Sequence, residues 1–175
     1  MKILIVNGKP CSGKDTFCEY AYNNRALVYP VSTVDKVKQV ALLAGWHGEK
    51  NAHSRKFLSD LKDLMSEYND MPFRYAYGYI EQRIDMHYPN TDDLIFLVQS
   101  REPSDIRRWV NETDARTICI SRPNIEQEWG NHADDEVDNY TYDYYLVNDG
   151  TKEEWACKTV EFIDKIRKQE WESHI

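Results

Sequence analysis

The sequence has little positive charge, few cysteines and no metal-ligand spacing. Its 175 residues include 22 lysines and arginines against 30 aspartates and glutamates, which gives a formal net charge of -8. This balance argues against non-specific nucleic-acid binding, which depends on clustered cations that neutralise phosphates. The four cysteines show no CxxC spacing, so neither a zinc site nor a disulfide framework is expected. Reduced thiols in the cytoplasm are the simplest interpretation.

Long apolar runs are also missing. No segment approaches the roughly 20 apolar residues of a membrane span, so no membrane association is expected. The first apolar run, Ile3–Val6, has only four residues, which is too short for a signal peptide and typical of a buried strand. A chain of this length with 41% hydrophobic residues predicts a single domain over residues 1–175.

Short apolar runs alternate with helical patterns along the chain. The predicted strands are Ile3–Val6, Ala26–Val31, Leu94–Val98, Thr117–Ile120 and Tyr144–Val147. The predicted helices are Lys14–Asn23, Thr33–Ala44, Ser54–Tyr68, about 72–87, Ser104–Val110 and Lys152–Lys168. This alternation predicts an α/β fold, with helices on both faces of a parallel sheet and ligands beyond the carboxyl ends of the strands. The third helix carries an apolar stripe that is expected to face the core.

One segment matches a phosphate-binding motif in its required context. Gly8–Lys14 reads GxxxxGK, directly after the first strand and at the start of the first helix. Glycines let the backbone wrap around a triphosphate, its N–H groups point inward, and the lysine adds a positive charge. The pattern predicts ATP binding by Gly8, Lys9, Pro10, Cys11, Ser12, Gly13, Lys14, Asp15 and Thr16.

The residue after this motif departs from the usual pattern. A Ser or Thr hydroxyl normally ligates Mg²⁺ there, whereas this chain has Asp15, followed by Thr16. Asp15 is suited to hold Mg²⁺ through a water, because Mg²⁺ retains several waters and favours one or two carboxylates. It is equally suited to be a first-turn acid stabilised by the helix dipole. Asp15 and Thr16 are therefore the candidate metal residues.

Four segments together resemble a known family. Gly13–Thr16, Val98–Glu102, Ser121–Asn124 and Asp143–Thr151 occur in the order seen in phage-type deoxynucleoside monophosphate kinases, within the adenylate kinase-like family. The resemblance implies a P-loop NTPase fold with a five-stranded parallel sheet. It also implies transfer of the ATP γ-phosphoryl group to a nucleoside or deoxynucleoside monophosphate, with Mg²⁺.

The resemblance also implies where each substrate binds. The acceptor region lies in a helical insertion at about 32–90, where Thr33 follows a strand and Arg55 opens a helix. The loop that contains Asn148 touches the adenine of ATP. Each of these residues also has an alternative role that involves no ligand: Thr33 as a helix N-cap, Arg55 as a solvated residue and Asn148 as part of a turn.

The chain departs from the resembling family at two places. Relatives commonly have an Asp two residues before the arginine that follows the third strand, whereas this chain has Gln99, which leaves Glu102 as a substitute. The polar stretch at about 122–142 is predicted to be a flap. From Pro123 onward it has no Lys or Arg, but contains Glu126, Glu128, Asp134, Asp135, Glu136 and Asp138.

Cations for the transferring phosphoryl group must then come from outside the stretch that begins at Pro123. Arg101 and Arg122 each follow the carboxyl end of a predicted strand, and an arginine fork suits bidentate contact with phosphate. Surface arginines are the alternative at both positions. With Lys14, these two arginines form the predicted catalytic set.

The sequence thus predicts an ATP-dependent kinase of a nucleoside or deoxynucleoside monophosphate. Phosphoryl transfer needs no nucleophilic side chain, in agreement with the absence of a Ser-His-Asp pattern. Two alternatives stay open: a P-loop kinase of another small phosphorylated metabolite, and a nucleotide-binding protein with weak hydrolysis that acts through a partner.

Overall fold

A computed structural model describes residues 1–49, 51–123 and 136–169. The chain divides into two compact units. The first comprises Met1–Pro30 and Pro89–Ile175, and the second comprises Val31–Tyr88. The single domain predicted over residues 1–175 stays a prediction.

A five-stranded sheet organises the molecule. Its strands are β1 (Lys2–Asn7), β2 (Val28–Ser32), β3 (Ile95–Gln99), β4 (Arg116–Ser121) and β5 (Tyr144–Val147). The order across the sheet is β2-β3-β1-β4-β5, and the pairings of β1 with β3, β1 with β4 and β4 with β5 are all parallel. The predicted five-stranded α/β fold is therefore confirmed.

Sheet register brings the ends of three strands to one edge. Val6 pairs with Gln99 on β3, and Asn7 pairs with Cys119 on β4. The chain leaves β1 immediately afterwards, at Gly8. Because parallel strands end at the same edge, the phosphate-binding segment starts beside the last residues of β3 and β4.

The described ranges contain six α-helices. They are α1 (Lys14–Asn24), α2 (Asp35–Leu43), α3 (Ala52–Asn69), α4 (Met71–His87), α5 (Pro103–Thr113) and α6 (Lys152–Lys168). A 3-10 turn, Glu136–Asn139, precedes β5. The predicted bounds agree to within a few residues. The largest shift at a strand start is at β2, where Leu27 has a φ of +61° and cannot belong to a strand.

The core of the first unit lies between the sheet and helices α1 and α6. Leu4, Leu97 and Ile118 of the sheet pack in one cluster with Phe17 of α1 and Ile163 of α6. All five side chains are fully buried. Burial of apolar surface stabilises by roughly 25 cal/mol per Å², so this cluster contributes to the stability of the first unit.

The second unit consists mainly of α2, α3 and α4. Val37, Ala41, Ala76 and Ile80 are buried in it. Helix α3 begins at a side-chain cap, because Asn51 accepts a hydrogen bond from the Ser54 backbone N–H at 2.8 Å. Helix α2 ends at Leu43 with Ala44 as its C-cap, and Gly45 follows with a φ of +95°, a conformation that favours glycine.

Two predictions for this unit are wrong. The apolar stripe of α3 is not core, since Ser54 is its only buried residue, while Leu64 and Tyr68 are 63% and 84% exposed. Periodicity fixed the apolar face, but among the described residues the main packing partners of α3 are α2 and α4, and much of that face stays uncovered. Thr33 does not cap α2, because Val34 is the N-cap and the helix begins at Asp35.

In the part of the chain that the structure describes, no helix combines the length and apolarity needed to cross a bilayer.

Candidate functional site

The segment after β1 forms a tight loop that only glycine permits at its two ends. Gly8 has a φ of +148°, and a Cβ there would lie 2.1 Å from the backbone oxygen of Ile120. Gly13 has a φ of +100°, and a Cβ there would lie 2.4 Å from Asn148 Nδ2. Between them Cys11 also adopts a left-handed φ of 58°. The loop therefore approaches its neighbours at a distance that any side chain would prevent.

The Lys14 side chain lies inside this loop. Its side chain is only 8% exposed, and its ammonium donates to the backbone oxygens of Gly8 and Lys9, the latter at 2.8 Å. A buried ammonium is costly unless it is hydrogen-bonded, and these carbonyls supply its partners. The positive charge is thus held within the loop rather than in bulk solvent.

The Asn7 side chain hydrogen-bonds to the first residue of the loop. It is fully buried; its Oδ1 accepts from the Gly8 backbone N–H at 2.8 Å. Its Nδ2 donates to the Arg101 backbone oxygen at 3.2 Å and to the Tyr142 hydroxyl at 2.7 Å. That hydroxyl donates in turn to the Val137 backbone oxygen at 3.1 Å. One amide therefore ties the loop to the segments after β3 and before β5.

The other end of the loop is held by the segment after β5. Asn148 is buried, and its Nδ2 donates to the Ser12 backbone oxygen at 3.0 Å. Its own backbone N–H donates to the Ser121 oxygen at 2.8 Å. Helix α6 starts three residues later at a capping box, in which Thr151 and Glu154 exchange side-chain-to-backbone hydrogen bonds. Asn148 therefore is not the helix cap.

A cavity of about 320 Å³ opens beside this loop within the first unit. It brings together nine residues that the sequence singled out: Pro10, Cys11, Gly13, Lys14, Asp15, Thr16, Arg101, Arg122 and Asn148. Gly150, Thr151, Lys152 and Trp155 complete the lining. Four cationic residues, Lys14, Arg101, Arg122 and Lys152, therefore line this cavity beside the loop.

Two polar atoms at the loop have no hydrogen-bond partner among the described residues. They are the hydroxyl of Ser12 and the indole N–H of Trp155, both fully buried. A buried donor without a partner costs about 1–3 kcal/mol, so native proteins rarely retain one without a reason. A bound ligand with acceptor atoms, such as ATP, fits this arrangement.

Asp15 and Thr16 lie in the first turn of α1, on the cavity wall. Asp15 is exposed, and its Oδ1 accepts a hydrogen bond from Gln99 Nε2 at 3.1 Å. The same amide contacts the Cys18 sulfur at 3.5 Å, and burial raises the pKa of the Cys18 thiol to about 12. Cys18 is thus a neutral thiol, and Gln99 directs its amide hydrogens to Asp15 and Cys18.

These residues fit Mg²⁺ only in combination with phosphate. A carboxylate and a hydroxyl are the hard oxygen ligands that Mg²⁺ prefers, and it commonly takes one or two carboxylates together with substrate phosphates. The described ranges contain no group of three or more His, Cys, Asp or Glu side chains that could hold a metal ion.

The cationic residues differ in their surroundings. Arg101 and Arg122 are exposed, each one or two residues past the end of its strand. Lys9 reaches away from the loop and forms an ion pair with Asp138 of the 3-10 turn. That aspartate belongs to the predicted acidic flap, and the flap residues 124–135 lie outside the described residues.

The remaining predicted residues belong to the second unit. Thr33 is buried, and Arg55 is exposed in the first turn of α3, where its backbone N–H donates to the Asn51 oxygen at 3.0 Å. Trp46 is half-buried, and its indole N–H donates to the Glu49 backbone oxygen at 3.3 Å. The roles of Thr33 and Arg55 in acceptor binding stay predictions.

Sequence reasoning missed Asn7 and Trp155. Asn7 follows an apolar strand and gives no signal beyond its position one residue before the first glycine. Trp155 falls in an amphipathic helical pattern, where an aromatic residue reads as ordinary core. The one available signal was its place four residues after the cap residue Thr151, at the helix end that faces the strand termini.

Comparison with known proteins supports the fold. No family model matches the chain, and neither does any curated protein. Among solved structures, the chain is similar to dephospho-CoA kinase from Campylobacter jejuni, with 16% identity and a TM-score of 0.51 over 96% of this chain and 98% of that one.

Two further solved structures have lower scores. A sugar kinase from Janibacter sp. HTCC2649 has 11% identity and a TM-score of 0.45, over 94% of this chain and 95% of that one. Shikimate kinase from Aquifex aeolicus vf5 has 12% identity and a TM-score of 0.45, over 95% and 98%. The sheet order, the loop geometry and the likeness to the first structure together show that this chain has the predicted P-loop NTPase fold.

Proposed function

We propose that this protein is an ATP-dependent phosphotransferase whose acceptor is a nucleoside or deoxynucleoside monophosphate. The observation that carries the phosphotransferase assignment is the convergence of the glycine-bounded loop, Lys14, Arg101 and Arg122 on one cavity. The acceptor class rests on the motif order that resembles monophosphate kinases.

The loop residues would bind the triphosphate through backbone and charge. Gly8 and Gly13 allow the chain to curve so closely that backbone N–H groups can surround an anion at the N-terminus of α1. Lys14 already lies inside the loop, so its ammonium needs no large movement to exchange a loop carbonyl for a phosphate oxygen. Pre-positioned charge of this kind stabilises a developing charge with little reorganisation.

Arg101 and Arg122 would neutralise the group in transfer. Both line the cavity, and a guanidinium fork can contact two phosphate oxygens at once. The backbone of Arg101 is fixed by Asn7, which also fixes the start of the loop. The distance between the loop and this arginine is therefore set by one buried amide.

Asp15 and Thr16 would hold Mg²⁺, which when bound screens the phosphate charge and polarises the transferring group. Gln99 keeps the Asp15 carboxylate directed along its hydrogen bond. The second unit, within the predicted insertion at about 32–90, would supply the acceptor site through Thr33 and Arg55. The family resemblance motivates this assignment.

A panel of acceptors tests the proposal. Purified protein, ATP and Mg²⁺ are incubated with each ribonucleoside and deoxynucleoside monophosphate, and ADP release and the phosphorylated product are both measured. We expect ADP release that depends on a monophosphate and equals diphosphate formation. The double variant Arg101→Ala, Arg122→Ala should lose transfer while it retains ATP binding.

Two other results would favour the alternatives. ADP release that requires a different small phosphorylated metabolite would keep the phosphotransferase assignment and replace the acceptor. Slow release that no acceptor stimulates would instead indicate a nucleotide-binding protein with weak hydrolysis. The ion pair between Lys9 and the acidic segment at Asp138 is the feature that favours this second outcome, because it draws a loop cation away from phosphate.

A further inference from the structure

Trp155 occupies an unusual place for a tryptophan in a helix core. It lies in the first turns of α6, only 3% exposed, and its ring packs against Phe17 with centroids 6.0 Å apart. Phe17 is held in turn by Phe162, at 6.1 Å. Aromatic neighbours on this side leave the indole little freedom to rotate, so the direction of its N–H is fixed by packing.

The Nε1 atom of this ring lies beside Gly13 of the phosphate-binding loop. A Cβ on Gly13 would lie 3.3 Å from Trp155 Nε1 and 2.4 Å from Asn148 Nδ2. Asn148 uses its amide to donate to the Ser12 backbone oxygen. Within the described ranges Trp155 Nε1 has no such partner, although it is fully buried.

A buried N–H that lacks a partner among the described residues is suited to donate a hydrogen bond to a ligand. Folding has already removed water from the indole N–H, so formation of a hydrogen bond there incurs little further desolvation. Packing has also fixed its direction, so little side-chain entropy is lost on binding. Trp155 lines the same cavity as the loop, together with Asn148, Gly150 and Thr151.

We infer that Trp155 is a further nucleotide-binding residue, whose indole N–H donates a hydrogen bond to an acceptor atom of the nucleotide held in this cavity. The inference rests on the proposed binding of ATP at the loop. It adds a side-chain donor from α6 to a site otherwise formed by loop backbone and cations. Trp155 is a binding residue here and has no part in the transfer step.

A substitution of one atom tests this inference. Replacement of Trp155 by 3-benzothienylalanine puts sulfur in place of the N–H and retains the shape of the ring. Affinity for a non-hydrolysable ATP analogue is measured by calorimetry, and we expect it to fall about tenfold, as for the loss of one well-formed hydrogen bond. Without nucleotide the thermal midpoint should not fall, because the replaced donor had no partner.

Trp109 provides the matched control. It is 1% exposed on α5 and does not line the cavity, so the same replacement there should leave analogue affinity unchanged. Nuclear magnetic resonance of indole ¹⁵N–¹H groups gives a readout independent of affinity. The Trp155 signal, identified by its loss in Trp155→Phe, should shift and exchange more slowly with solvent when the analogue binds.

Two probes identify which part of the nucleotide accepts the hydrogen bond from Trp155. Inorganic tripolyphosphate would shift the Trp155 signal if a phosphate oxygen accepts, and adenosine would shift it if the base or ribose does. Either response supports the inference. If the analogue binds the wild type while the Trp155 signal and the variant's affinity stay unchanged, the inference is overturned and the proposed function stands. If the analogue does not bind the wild type, both are overturned.

Discussion

Replacement of Gly13 by alanine gives the sharpest test of the loop geometry. Gly13 has a φ of +100°, which alone costs a residue with a side chain about 1–2 kcal/mol. The added Cβ would also lie 2.4 Å from Asn148 Nδ2, so that amide must move. Its hydrogen bond to the Ser12 oxygen would then be lost, at roughly 1 kcal/mol or more because the oxygen is buried. We therefore expect Gly13→Ala to lower the free energy of unfolding by about 2–4 kcal/mol.

Gly45 offers the matched control. Its φ is +95°, nearly that of Gly13, but a Cβ there would meet no atom within 4 Å. Gly45→Ala should therefore show the backbone strain alone, about 1–2 kcal/mol. The difference between the two variants gives the cost of the contacts with Asn148 and Trp155, of which the one with Asn148 is much the closer.

Two assays compare these variants. Urea unfolding at 25 °C gives the free energies, and calorimetry with a non-hydrolysable ATP analogue gives the affinities. We expect Gly13→Ala to weaken analogue binding more than tenfold, because the loop must shift, and Gly45→Ala to leave it unchanged. The reasoning is refuted if Gly13→Ala binds the analogue as tightly as the wild type and unfolds at the same urea concentration as Gly45→Ala.

Three further substitutions test charged residues that we propose to bind ATP, Mg²⁺ or the acceptor. Lys14→Met should abolish phosphoryl transfer and also lower the free energy of unfolding by about 1–2 kcal/mol, because two loop carbonyls lose their donor; a coupled ADP assay and urea unfolding check this, and full activity would contradict the loop assignment. Asp15→Asn should raise the Mg²⁺ concentration needed for half-maximal activity several-fold. An unchanged Mg²⁺ titration would show that Asp15 is only a first-turn acid stabilised by the helix dipole. Arg55→Ala should raise the KM for the acceptor about tenfold and leave the KM for ATP unchanged. Lys56→Ala is its control, since this exposed neighbour pairs with Asp60 on the same helix, and equal effects of both variants would place the acceptor site elsewhere.

The strand and helix pattern could be predicted because it depends on local properties. Runs such as Ile3–Val6 and Tyr144–Val147 combine apolar and β-branched or aromatic residues, and each ends at polar residues that can follow a strand. The phosphate-binding loop could also be predicted, since Gly8 and Gly13 occupy positions where the chain needs a positive φ and close contact. Both kinds of signal lie within a few consecutive residues.

The apolar stripe of α3 shows where local reasoning stops. Its spacing identified a helix and an apolar face, and both are present. Whether that face is covered depends on how many other elements pack on it, and within the described ranges its main partners are α2 and α4. Leu64 and Tyr68 consequently remain exposed. A periodic pattern has no information about the number of neighbours.

The sequence by itself determined the order of elements, the loop from Gly8 to Gly13 and the cations that follow strand ends. Each of these follows from residue type and spacing along the chain. Only the tertiary structure decided that Asn7 hydrogen-bonds to both Gly8 and Arg101, and that Trp155 Nε1 lies beside Gly13 with no hydrogen-bond partner among the described residues. The contact between Asn7 and Arg101 joins residues 94 positions apart in sequence, and Trp155 and Gly13 lie still further apart. Such contacts arise because the parallel sheet brings the ends of β1, β3, β4 and β5 to one edge, which no local pattern encodes.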